Sequence, residues 1–272
     1  MATVPGADTN RPPPWSRKGW ALFVTALVAL ALAIVSPITP WYTISNEVHN
    51  WTVENATFDL NTTTTFYPGS NYRFLCDTYP VDAPVWGEIC TLTHQEAGGT
   101  LQPYQDIVPF SSHPESSDLQ TMYSIVWIAS IFSISIGFFA LALFVLDQRQ
   151  RRPDWRVTLG AGVAFAVATA FTLGAAIGVA AFQPSAVIHD FGPGGGTVVG
   201  GSTFWGSCGP SATQCGMFTG AESQSFLWGP ALGWYAELAA GAILLGLATL
   251  VLRDALRLRR TARAARASPG KP

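Results

Sequence analysis

Four long apolar runs leave this chain few ways to fold. Gly19 to Ile38, Met122 to Leu146, Val157 to Phe182 and Gly229 to Leu252 are each at least 20 residues long. The first three contain no charged residue, and the fourth contains only Glu237. A helix needs about 20 apolar residues to cross roughly 30 Å of hydrocarbon. Composition agrees, since 12% of the 272 residues are charged, against about 25% in a typical soluble domain. The expected fold class is a membrane all-α bundle of four transmembrane helices, over 19–40, 120–146, 157–182 and 229–252.

The basic residues orient the bundle. Arg11, Arg17 and Lys18 precede the first run, and Arg149, Arg151, Arg152 and Arg156 fill the link at 147–156. Seven more lie in the tail at 253–272, so 14 of 15 fall on one side, with Arg73 the exception. Lys and Arg are retained in the cytoplasm during insertion. Both termini are therefore expected inside a plasma or cytoplasmic membrane, with loops 41–119 and 183–228 outside. The first run also satisfies the pattern of a cleavable signal, with a basic start and Ala31-Leu32-Ala33. It continues to Ile38, however, and Pro37, Pro40 and Trp41-Tyr42 mark an interfacial exit. Retention is expected; cleavage would leave three spans with the same loops outside.

The loop at 41–119 reads as a small antiparallel sheet of three to five strands. Trp51 and Val53, then Ala56, Phe58 and Leu60, then Tyr72, Phe74 and Cys76 recur with a period of two, as do Ile89, Thr91 and Thr93. Pro68-Gly69-Ser70-Asn71 supplies a turn, and such alternation bounded by turn residues signals strands. Asn50, Asn55 and Asn61 each head a glycosylation sequon, and three within fourteen residues suit an outer loop. The loop at 183–228 carries Gly192-Pro-Gly-Gly-Gly196, which lacks the ending of a phosphate loop and reads as a flexible linker. The arm at 1–18 is proline-rich, and the basic tail reads as a stop signal able to hold anionic lipid headgroups.

Gly174 to Gly178 and Gly229 to Gly233 are small-xxx-small patterns, through which membrane helices approach closely. They are expected to pack the bundle, with a homo-oligomeric face as the alternative use. Cys76 with Cys90, and Cys208 with Cys215, place one pair in each outer loop; pairing within each loop is simplest, and four cysteines allow three connectivities. Glu237 is the only ionisable residue within a span. A carboxylate there is expensive and so marks a structural or proton- or ligand-binding position. The four histidines all fall in outer loops, at His49, His94, His113 and His189, which excludes a haem held by paired transmembrane histidines. No nucleophile motif, metal-ligand spacing or cofactor motif is present, and nothing points to nucleic acid.

Four spans, inside termini, a β-rich first outer loop with a cysteine pair and a shorter second loop resemble the claudin and peripheral myelin protein superfamily. The Pro37, Pro40, Trp41 exit and Gly229 to Ala236 carry the likeness, while Tyr72-Arg-Phe-Leu-Cys76 stands where that family has Gly-Leu-Trp before its first cysteine. The leading reading is a non-enzymatic membrane protein whose outer sheet contacts a partner protein, a neighbouring cell or a cell-envelope component. An accessory subunit of a transporter or membrane enzyme is the second reading. A thiol–quinone oxidoreductase is the third, since four spans with a cysteine pair per outer loop resemble the bacterial membrane oxidase of disulfide catalysts; it lacks a Cys-x-x-Cys. The charge asymmetry predicts that a reporter active only in the cytoplasm works when fused after Pro272 and fails when inserted at Gly98. The opposite pattern would refute the assigned orientation.

Overall fold

The computed structural model describes residues 15–53, 56–69, 71–79, 96–97, 100–101, 104–109, 117–150, 154–191, 203–208 and 222–267. Four helices carry the apolar runs: α1 (Arg17–Val35), α2 (Ser117–Arg149), α3 (Trp155–Phe191) and α4 (Leu232–Ala267). Each is long and apolar enough to cross a membrane. The strands are β1 (Tyr42–Val53), β2 (Ala56–Phe66), β3 (Asn71–Tyr79), β4 (Glu96–Ala97), β5 (Thr100–Leu101), β6 (Tyr104–Pro109), β7 (Gly206–Cys208) and β8 (Ser223–Pro230). Six of them form an antiparallel sheet in the order β6-β3-β2-β1-β8-β7, and β4 pairs with β5 alone.

Three expectations need correcting. The sheet is not confined to the first loop, because β8 runs beside β1 and brings part of the loop at 183–228 into it; the glycine run expected as a linker lies outside the described residues. Gly229 belongs to β8, so α4 begins at Leu232 and Gly229–Gly233 is not one helical motif. Helix α3 continues past Phe182 through Pro184. Proline removes one helical hydrogen bond there, but Ala186 and Val187 beyond it are buried in a core cluster that holds the last turns. The strand expected around Ile89, Thr91 and Thr93 lies outside the described residues.

The chain divides into two compact units. The first comprises Met1–Ala33, Ile131–Leu173 and Ala239–Pro272, so that segments of all four helices meet around an alanine-rich core. Ala26, Ala29, Ala140, Ala161, Ala168 and Ala248 are buried among Leu30, Phe144, Phe165 and Leu244. Small side chains bring the backbones close: a Cβ at Gly137 would lie 2.6 Å from Leu30, and one at Gly241 2.5 Å from Leu173. Ser133 donates to the Ala168 carbonyl at 3.1 Å and meets the Thr172 hydroxyl, so α2 and α3 also share polar contacts. Outward-facing Val24, Phe132, Phe138 and Phe139 are exposed. Apolar rings facing outward around a polar-satisfied helix are what a lipid environment requires.

The second unit comprises Ile34–Ser130 and Gly174–Leu238. Even-numbered residues of β1 face inward: Tyr42, Asn46 and Val48 are buried and Ile44 is partly so, while Glu47 and His49 are exposed. Asn50, with φ of +48°, then breaks the alternation. Asparagine tolerates this left-handed conformation better than most residues, and the pairing with β2 shifts between Val48 and Trp51. A one-residue shift moves every following side chain to the other face, which is why odd-numbered Trp51 is buried, with Val48, Phe58, Leu60 and Cys76. Nearer the helices, Tyr42, Phe66 and Tyr72 form one cross-strand row. Phe66 stacks on Tyr123 of α2, with centroids 5.9 Å apart. Burial holds the Tyr42 phenol above its ordinary range.

Trp41 joins these pieces. It is fully buried, its indole N–H donates to the Ser36 carbonyl at 3.0 Å, and its backbone N–H donates to Phe66 O at 2.9 Å. Ala231 donates to the Trp41 carbonyl at 2.9 Å, and Gly233 to the Pro40 carbonyl at 2.7 Å. A Cβ at Gly233 would lie 2.5 Å from Trp41 Cδ1 and 2.8 Å from the carbonyl oxygens of Pro40 and Ser36. Gly174 has open space in the same test. Thermal unfolding in detergent should therefore show Gly233→Ala destabilised by about 1–3 kcal/mol, the usual range for overpacking. Gly174→Ala should stay within about 0.5 kcal/mol of the parent; equal effects would refute the close approach at Gly233.

Candidate functional site

Two places in the second unit combine exposed or unsatisfied groups with a defined geometry. One surrounds Glu237. Helix α4 starts at Leu232, and five residues at 1.5 Å rise set Glu237 about 7.5 Å along it. One turn earlier, Trp234 donates its indole N–H to the Ala176 carbonyl of α3 at 2.8 Å, which fixes the rotation of α4. That rotation turns Glu237 wholly inward, with the hydroxyls of Ser36 and Ser130 facing its carboxyl. Neither carboxyl oxygen closes a hydrogen bond among the described residues, and Ser36 Oγ and Ser130 Oγ are equally unpaired and buried. The hydroxyls thus face the carboxyl without closing a bond of ordinary geometry. One carboxyl and two hydroxyls provide acceptors for a proton or for one small polar group. An ionised carboxylate buried without a cation costs several kcal/mol.

The other place is the open face of the sheet. Its rows follow from the register: Thr43 beside Thr65, Ser45 beside Thr63 and Leu227, and Glu47 beside Asn61 and Ser225. Ser45 and Thr63 bring their hydroxyls within 3.4 Å. Leu227 is 64% exposed and Trp205 63%, two large apolar groups on or beside a hydroxyl-rich surface. Trp205 lies over Gly229, its Cβ 3.4 Å from where a Cβ at that glycine would stand, an ordinary van der Waals contact.

The other candidates fall as follows. Asn50 and Asn61 are exposed, but the Asn50 side-chain amide donates to Glu222 and its backbone N–H donates to Asp59 at 2.8 Å. Asn55 lies outside the described residues. Cys76 is completely buried and is half of a disulfide. Cys90 and Cys215 lie outside the described residues, and Cys208 is placed by its backbone alone in β7. Gly174 and Gly178 meet nothing within 4 Å; among the described glycines, Gly19, Gly137, Gly162 and Gly241 approach a neighbouring helix closely, and Gly233 approaches Trp41 and Pro40. His49 faces Asp59 at 3.7 Å; His94 and His113 lie outside the described residues, and His189 is placed by its backbone in α3. Among the described residues, no three His, Cys, Asp or Glu side chains gather as a metal site.

No protein-family model matches the chain, and no curated protein matches its sequence.

Sequence reading missed the second loop's part in the sheet. The alternation in Gln224, Phe226 and Trp228 was available as a signal, but the glycine-rich stretch before it obscured the period. The unpaired carboxyl gives a direct prediction. Glu237→Gln keeps the shape and cannot ionise, so its thermal midpoint in detergent should equal or exceed the parent's. Glu237→Lys puts a longer cation in the same space and should cost about 4 kcal/mol or more. A marked loss with Gln would mean that the carboxylate has an essential partner.

Proposed function

We propose that this chain is a non-enzymatic membrane protein whose outer sheet is a recognition surface for a partner protein, a neighbouring cell or a component of the cell envelope. The observation that carries this reading is the open face of the six-stranded sheet. It draws strands from both long loops and presents exposed Leu227 beside Ser and Thr side chains. Exposed apolar groups that gather within a polar rim mark contact sites, and exposed Leu227 and Trp205 are such groups on or beside this face. The charge asymmetry supports placing this face outside and both termini in the cytoplasm. The claudin-like layout, disulfides within each outer loop and glycans on exposed Asn61 are parts of the same proposal.

Two observations weigh against the alternatives. Glu237 is enclosed by its own chain, so it is not available as the contact of an accessory subunit. Cys76 is enclosed by Val48, Trp51, Phe58 and Leu60, which leaves an exchanging thiolate no approach to it. Thiol–disulfide exchange needs access to the attacked sulfur.

Site-specific photo-crosslinking in intact cells tests the reading. A photoreactive residue at Leu227 or Thr63 should give discrete heavier adducts, whereas the same residue at exposed Phe139 should give only lipid adducts. Protein adducts from Phe139 alone would favour a subunit role through the helices. No adduct from the sheet would remove the proposal.

A further inference from the structure

The first unit contains a cavity of about 330 Å³ whose walls come from all four helices. Leu22 and Phe144 are among its apolar walls, and four charged side chains line it: Lys18, Asp147, Asp254 and Arg257. Lys18 and Asp254 form an ion pair with each other. That leaves one anion and one cation without an ionic partner. Asp147 is 4% exposed; its Oδ2 accepts from the Thr158 hydroxyl at 3.0 Å, while Oδ1 is buried and unpaired among the described residues. Arg257 is exposed and pairs with no carboxylate among the described residues.

A lone inorganic ion would satisfy only half of this arrangement. A cation would answer Asp147 and leave Arg257 and the apolar walls unused, and an anion would do the reverse. The complement is a zwitterion with a hydrogen-bonding cation at one end, a phosphate a few atoms away and an apolar remainder. A carboxylate oxygen that lacks a donor favours a primary ammonium over a quaternary one, because only the former carries N–H groups. The planar guanidinium of arginine suits a phosphate. The cavity lies at the helix ends that bear the basic clusters, where lipid headgroups meet membrane proteins.

We propose that this cavity binds the headgroup of an amphiphile carrying a primary ammonium and a phosphodiester, of the phosphatidylethanolamine type. Asp147 Oδ1 accepts from the ammonium, Arg257 holds the phosphate, and Leu22 and Phe144 contact the start of the acyl chains. Thr158 is a positioning residue that keeps Asp147 turned so that one oxygen stays free.

Native mass spectrometry of the full chain in detergent tests the proposal, with equal amounts of phosphatidylethanolamine, phosphatidylcholine and phosphatidylglycerol of matched chains. The ethanolamine lipid should be retained about tenfold over the choline lipid, the ratio expected from one charge-assisted hydrogen bond. Asp147→Asn should abolish that preference. Arg257→Gln, at an exposed position where folding is not at stake, should lower retention of all three lipids. Soluble phosphoethanolamine should bind far more weakly than the lipid. Equal retention of the three lipids by the parent overturns the proposal, as does an unchanged preference in Asp147→Asn. Binding of phosphoethanolamine as tight as that of the lipid overturns the lipid assignment.

Discussion

The buried indole of Trp41 is the contact on which the second unit depends. Helix α1 cannot continue through Pro37 and Pro40, so its last carbonyls need other donors. Trp41 supplies one to Ser36, and its backbone then opens β1 against β2. The same residue leaves no room for a side chain at position 233. Helix α4 can therefore begin against it only with glycine there. The turn at Ser36–Ile38, a strand start and a helix start are coupled through one ring, and loosening any of them exposes unpaired backbone groups.

The chain settles polar and apolar demands differently in its two units. In the first, alanines and glycines allow close helix contacts, while Val24, Phe132, Phe138 and Phe139 face outward, as lipid requires. In the second, aromatic rows from the sheet fill the space over the helix ends. Each unit also holds a carboxyl with unsatisfied oxygen: Glu237 beside two unpaired serines, and Asp147 with one oxygen committed to Thr158. The two differ in access. Glu237 is sealed within its own side chains, whereas Asp147 lines a cavity shared with exposed cations. Only the second has room for a ligand of any size, which is why the binding proposal rests there and the recognition proposal rests on the sheet.

Some features were written plainly in the chain. Four apolar runs of at least 20 residues, three of them uncharged, specify helices of spanning length, because no other short-range arrangement satisfies the backbone in lipid. The period of two in Phe58–Leu60 and Tyr72–Cys76 specifies strands with one buried face. The oddity of Glu237 was also legible, since one charge among 24 residues stands out. These signals are local: each depends on composition or spacing within a single element.

What only the tertiary structure decided is pairing. That β8 lies against β1 depends on residues about 180 positions apart, and no local pattern encodes the neighbour of an edge. The bulge at Asn50 depends on a left-handed backbone that asparagine permits without demanding, so the inward turn of Trp51 appears only in the assembled sheet. Which glycines serve close packing was likewise hidden: Gly174 and Gly178 have the right spacing but no neighbour, while Gly137 and Gly241 have the neighbour. Spacing places a small residue on a helix face, but the partner's side chain determines whether that face is used.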